Sequence, residues 1–240
     1  MWRITAEPLR FDEAVDAFAS KVPLTEDLIS ELAEHAGPRA WTIAGVTQLE
    51  VVQFVHGSLE KAIADGVPFE TWQAEVDDAL TKAWGKRDSP RMLTVFINAN
   101  QGAYNAGRYA QQTDPEMLKL RPFGMYDSVV DGGTTDFCLA WDGKILPIQE
   151  FVKRGAHPAT HHRCRAGIRS MRASEVDRGG GPTPASALPT GKAPKGWGGD
   201  PTTTRFRPEP AKYDRQLWNE YQRKAAELEK SPRAPLKKTG

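Results

Sequence analysis

Residues 126–168 read YDSVVDGGTTDFCLAWDGKILPIQEFVKRGAHPATHHRCRAGI. This stretch decides the fold class, because its short elements change type every few residues. MYDSVV is rich in strand formers and runs into Asp131-Gly132-Gly133, a turn signal. TTDFCLAW then suits a short capped helix, GKILPI a short strand or extended segment, and QEFVKRG a second short helix. Beyond the histidines, CRAGIRSM suits an edge strand. The alternation predicts a small α+β module over 113–175. So few residues enclose a weak core, and a staple would stabilise it.

Outward from the module the chain changes character. Residues 1–112 are expected to be helical. Phe11, Val15 and Phe18 share one face ahead of Pro23, and Thr25 can cap a helix that turns Leu28, Ile29 and Leu32 inward. Thr47-Gln48-Leu49-Glu50 has the form of a capping box. It precedes an inward row of Val52, Val55, Leu59 and Ile63 that ends at Asp65-Gly66. Phe69, Trp72, Val76 and Leu80 repeat the spacing, and Ser89-Pro90 opens a long helix to Gln111. Pro115 to Pro122 breaks that helix. On the far side, 176–212 is a Gly/Pro-rich linker. Its 179–201 stretch holds 12 Gly and Pro in 23 residues, and is expected to be extended or mobile. Residues 213–230 return to helical spacing and 231–240 form a basic tail. The fold class expected is therefore α+β: a mainly helical N-terminal region, a small Cys/His module, an extended segment and a C-terminal helix.

Charge is distributed unevenly. Residues 1–100 carry 9 Lys and Arg against 16 Asp and Glu, a net of −7, whereas residues 163–240 carry 17 against 8, a net of +9. An acidic front and a basic tail point to two different partners. No apolar run approaches the ~20 residues of a membrane span, and the N-terminus lacks the apolar core of a secretory signal. The reading is a soluble protein made and kept in the cytoplasm. Two cysteines make no disulfide framework and read better as thiols or ligands.

Three of the five histidines fall within HPATHHRCR, residues 157–165. His161 and Cys164 sit on one tight turn, and Cys138 comes from a separate element. Structural zinc takes four N, S or O ligands in a tetrahedron. Cys138, His161 and Cys164 supply three, and His162, Asp136, His157 and Asp131 are the candidates for a fourth. Other readings stand beside this one. Cys138 can be a buried apolar residue and the histidines a solvated loop. Alternatively, Cys164 can be a thiolate nucleophile with His161 or His162 as base and Arg163 and Arg165 lowering its pKa. A strand over 164–170 would put Arg163, Arg165 and Arg169 on one face, with Arg172 beyond, as a row for phosphates or carboxylates.

These residues together resemble the signature of the phage Mu F-like minor head proteins, the phage head morphogenesis family. Its pattern is an aromatic, a D-x-x-T turn, a Cys or His, LDGK, and PP-x-H-x-x-CR. Here those positions are Tyr126, Asp131, Thr134, Cys138, the stretch Ala140-Trp141-Asp142-Gly143-Lys144, Pro158, His161, Cys164 and Arg165. Trp141 precedes Asp-Gly, and Ala159 replaces one proline. Upstream, residues 40–84 are similar to the family's helical region, and FINANQGAYNAGRYAQ (96–111) to its N-x-x-x-AY-x-AGRY helix. Gly196-Trp197 resembles a late glycine-rich segment, so the likeness spans 11–170 firmly and the tail loosely. The resemblance implies a non-enzymatic minor head protein of a tailed phage, present in the virion head and in the host cytoplasm during assembly. Its implied partners are portal and major capsid proteins and packaged DNA, with several copies per virion. It also implies a structural metal, with zinc as the candidate, on Cys138, His161 and Cys164. That ranks His161 as the motif position, His162 as fourth ligand or phosphate contact, and His157 as a surface residue. Two rivals remain: a nuclease or toxin-like enzyme using His161, His162 and Arg165, and a plain nucleic-acid-binding module driven by the basic tail.

Overall fold

A computed structural model of the chain describes residues 11–25, 40–194 and 197–201. The helix expected around Leu28, Ile29 and Leu32, the 213–230 helix and the basic tail lie outside the described residues. What is described is α+β, with helices first and a small sheet after them.

Among the described residues, four helices form the N-terminal part: α1 (Asp12–Ala19), α2 (Leu49–Asp65), α3 (Phe69–Trp84) and α4 (Ser89–Gln112). Two short strands, β1 (Val22–Pro23) and β2 (Ala40–Trp41), pair in parallel between α1 and α2. The inward rows are those the periodicity specifies. Val52, Val55, Leu59 and Ile63 of α2 and Trp72, Val76 and Leu80 of α3 are buried, together with Val15, Phe18 and Met92. Gly66 ends α2 in the left-handed conformation, which glycine adopts without a Cβ penalty. The capping box does not form: α2 begins at Leu49, its N-cap is Gln48, and no side chain caps it. Thr47 stands one residue too early for its hydroxyl to meet the free N–H groups. The N-cap of α4 is Asp88, whose carboxylate accepts from the Arg91 N–H at 3.0 Å.

The long α4 is the spine of the molecule. On one side Gly107 lets α1 approach so closely that a Cβ there would lie 2.6 Å from the Ala14 backbone nitrogen. The other side faces the small module. After α5 (Pro115–Leu120), capped by Asp114, comes a three-stranded antiparallel sheet in the order β4-β3-β5. The central strand β3 (Phe123–Asp127) pairs with β4 (Ile145–Pro147) and with β5 (Gly167–Met171). Tyr126, Trp141, Leu146, Phe151 and Ile168 fill a second core, enclosed by α6 (Asp136–Trp141) and α7 (Ile148–Lys153).

β5 is an edge strand, and its outward carbonyls are satisfied. Asn105 and Gln112 of α4 donate to Ala166 and Ile168 at 3.3 and 2.7 Å, and Arg121 donates to Ser170 at 3.1 Å. Three side chains thus do the work of a further strand and close the edge against foreign pairing. The Gly/Pro-rich stretch is extended, as its composition requires, but it borrows order from the module. Thr183 exchanges two 2.9 Å bonds with the Ile145 backbone, Leu188 enters the second core, and the Gly198 N–H donates to Ala159 at 3.1 Å. Among the described residues no helix is long and apolar enough to cross a membrane.

Candidate metal centre

Two elements bring the cluster together. The Thr135 hydroxyl caps α6 by accepting from the Cys138 N–H at 3.4 Å, and this aims the Cys138 thiol into the module's core. The loop before β5 turns tightly, with the Cys164 N–H on the His161 carbonyl at 3.3 Å. The Cys138 sulfur then lies 3.1 Å from His161 Nε2 and 4.0 Å from the Cys164 sulfur. The three ligand atoms all lie within 4.8 Å of one another. Both thiols are buried, at 3% and 1% exposure, and neither forms a disulfide.

The surroundings suit metal ligation. His161 Nδ1 lies 2.7 Å from the His162 carbonyl. A carbonyl only accepts, so Nδ1 carries the proton and the Nε2 lone pair faces the sulfurs, the tautomer a metal ligand needs. The Thr160 hydroxyl lies 3.6 Å from each sulfur, and the Tyr126 hydroxyl 3.4 Å from that of Cys138. Hydrogen bonding from Cys164 holds the Cys138 thiol below its ordinary range. The same contact, with burial, pushes the Cys164 thiol up. Burial, then the bond to Cys138, pushes the Tyr126 phenol up as well. Two buried thiols and one oriented imidazole form a soft N/S donor set, which fits zinc. A nucleophilic Cys164 fits less well, since its sulfur is enclosed and tied to Cys138.

The other candidates are placed elsewhere. His162 is turned away from the cluster: its Nδ1 accepts from the Asn98 side-chain amide at 2.9 Å, and its ring packs edge-on against Trp197. Asp131 is held by Arg165 through two bonds of 2.6 and 2.5 Å. That guanidinium, helped by the Gly133 N–H, keeps the Asp131 carboxyl well below the usual range. Asp136 is exposed at the start of α6. His157, expected at the surface, is instead 3% exposed and lies edge-on against Tyr109, and burial pushes its pKa down to about 4. An imidazole has enough apolar surface to pack when an aromatic ring receives it, and sequence spacing does not reveal that ring.

The arginines do not form one row, because β5 starts only at Gly167. Arg163 sits in a turn with φ of 55° and bonds α4: its N–H to Asn98 Oδ1 at 2.7 Å, its Nε to Thr94 at 2.8 Å, and its Nη2 to the Pro90 carbonyl at 2.7 Å. Arg165 is committed to Asp131. Arg169 and Arg172 are exposed. Arg165 and Arg169 also line a groove of about 660 Å³ between α4 and β5, shared with Arg108, Tyr104 and Met117. Sequence reasoning assigned no role to Asn98, Arg108 or Thr160. Asn98 and Arg108 lie inside the quoted 96–111 stretch, and Thr160 inside HPATHHRCR, but only their distant partners reveal what they do.

The fold and the cluster define a class: an α-helical scaffold carrying a small sheet module with a Cys₂His set of metal-binding geometry. Residues 53–169 match the family model described as Phage Mu protein F like protein, so this segment is Mu F-like, in agreement with the resemblance carried by the motifs. The chain is 28% identical over 182 residues to the putative capsid assembly protein F of Escherichia phage Mu, covering 68% of this chain and 41% of that one. It is 30% identical over 154 residues to the Mu-like prophage FluMu F protein of Haemophilus influenzae, covering 59% and 37% respectively. The chain therefore spans about two fifths of the length of the curated relatives it matches. No solved structure matches it.

Proposed function

We propose that this chain is a structural capsid assembly protein of a tailed phage, built around a zinc-clasped module, and not an enzyme. The observation that carries the reading is the coincidence of the Mu F-like segment with the Cys138–His161–Cys164 cluster, which lies wholly inside it. The zinc would be held by those three residues and would join α6 to the loop before β5, supplying the staple a small core needs. In this reading the protein resides in the virion head, and in the host cytoplasm during assembly. The acidic helices meet the portal or major capsid proteins, several copies serve one virion, and the basic side meets packaged DNA. The enzyme alternative has less support: His161 Nε2 faces a sulfur, His162 faces Asn98, and Arg165 faces Asp131, so the three do not converge on one substrate atom.

The metal half is tested by elemental analysis of the purified full-length protein. One zinc per chain is expected, lost in the C138S/C164S variant, with chelation unfolding the module. Equal zinc in the double variant ends the clasp reading. For DNA, the exposed Arg169 and Arg172, with Arg108 beside Arg169 in the groove, are the proposed phosphate contacts. An R108A/R169A/R172A variant should bind duplex DNA more weakly, its log–log salt slope shallower by roughly one per lost phosphate contact. An unchanged slope removes DNA contact from this face.

A further inference from the structure

We propose that the zinc cluster is completed from outside the protein's own ligands, by a water-sized monodentate donor that enters through a small pocket on the module's surface. This rests on the zinc reading above and adds to it the nature of the fourth ligand.

The cluster has two faces. The inner face is closed by Tyr126 and Thr160, both 0% exposed, whose hydroxyls lie 3.4 to 3.6 Å from the sulfurs. Neutral hydroxyls hydrogen-bond to sulfur and are not among the thiolate, imidazole and carboxylate ligands that zinc takes. The outer face opens on a pocket bounded by Ser128, Thr134, Thr135, Cys138, His161 and Arg165. Its volume is about 10 Å³, close to the least that holds one water. Among the described residues, no further Cys, His, Asp or Glu joins the three. The four candidates for a further ligand are placed elsewhere: His162 is held by Asn98 and Asp131 by Arg165, Asp136 is exposed at the start of α6, and His157 is packed against Tyr109.

Size and lining specify the ligand class. The space excludes a substrate of any bulk and admits water, hydroxide or a small anion. The Thr135 hydroxyl accepts from the Cys138 N–H and keeps its proton to donate to such a group, whereas Ser128 and Thr134 donate theirs to the Cys138 and Val129 carbonyls and Arg165 is paired with Asp131. Zinc with two thiolates and one neutral imidazole would carry no net charge, so a neutral water or a single small anion would suit the fourth position. The site therefore has the donor count of an exchangeable centre, although the fold uses it as a clasp.

The test uses full-length protein loaded with cobalt(II) in place of zinc. The intensity of the visible bands reports four-coordination, and the sulfur charge-transfer bands report two thiolates. Azide is then titrated, and a parallel sample in ¹⁷O-enriched water is examined by pulsed electron–nuclear resonance. A saturable azide shift, or an ¹⁷O coupling to cobalt, is expected, with both absent in C138S/C164S. Bound cobalt that shows neither azide response nor ¹⁷O coupling means a closed site, and overturns the inference while leaving the clasp intact. Protein that takes up neither cobalt nor zinc overturns the clasp reading itself.

Discussion

Substituting Gly107 by alanine tests how the helical part is held together. A Cβ at 107 would lie 2.6 Å from the Ala14 nitrogen and 2.9 Å from both Ala14 Cα and the Glu13 carbonyl carbon. Carbon atoms rest at about 3.5–4.0 Å, and all three neighbours are backbone, so none can swing aside. α1 must retreat from α4 by on the order of 1 Å, loosening the burial of Ala14, Val15 and Phe18. Overpacking of this kind costs about 1–3 kcal/mol. Replacing a mid-helix glycine returns about 0.5–1 kcal/mol to α4, so the net loss centres on about 1 kcal/mol and is at most about 2.5 kcal/mol. At about 2–4 °C per kcal/mol for a chain of this length, the melting temperature should fall by roughly 2–10 °C. The assay is thermal unfolding followed by far-ultraviolet circular dichroism, with Gly102→Ala as the internal control. Gly102 lies on the same helix, where a Cβ would meet only the tip of Lys21 at 3.9 Å, so G102A should be neutral or stabilising. If G107A melts with G102A, α1 does not lie across Gly107 and the packing argument fails.

Two further predictions concern the clasp and its neighbours. Asn98→Ala removes the 2.7 Å bond from the Arg163 N–H and the 2.9 Å bond to His162, which should cost about 1–2 kcal/mol and speed amide exchange at Arg163; unchanged protection there would show that α4 does not clamp the loop. His157 has its folded pKa depressed to about 4 by burial, below its ordinary value of about 6.5. The unfolded chain therefore binds the proton first. The stability contributed by the neutral imidazole is intact above about pH 6.5 and is lost as pH falls toward 4, a difference of roughly 3 kcal/mol. Denaturant titrations of wild type and His157→Gln between pH 4 and 7 should diverge in slope, and parallel curves would mean that His157 does not titrate in the folded protein.

Much of the architecture was legible because it is encoded over short distances. The rows Val52-Val55-Leu59-Ile63 and Trp72-Val76-Leu80 face the core because a helix repeats every 3.6 residues, whatever its neighbours. Gly66, Thr135 and Pro90 punctuate helices through local backbone chemistry. The failed capping box shows the limit of such signals: a shift of one residue turned Thr47 from cap to bystander. Composition gives the Gly/Pro-rich stretch little apolar surface with which to order itself, yet the free side of β4 gives Thr183 hydrogen-bond partners that composition does not count.

By itself the sequence determined the fold class, the Mu F-like motif and the membership of Cys138, His161 and Cys164 in one cluster, since residue type, spacing and resemblance carry that information. It did not determine that His162 turns away from the sulfurs to Asn98, that His157 is buried, or that Arg163 and Arg165 are already occupied. Those outcomes depend on groups far along the chain: Asn98 meets Arg163 across 65 positions, and Asp131 meets Arg165 across 34. A side chain's partner is set by which surfaces the folded elements bring within about 3 Å. Only the docking of α4 against the module, and of the DGG turn against the loop before β5, made those choices.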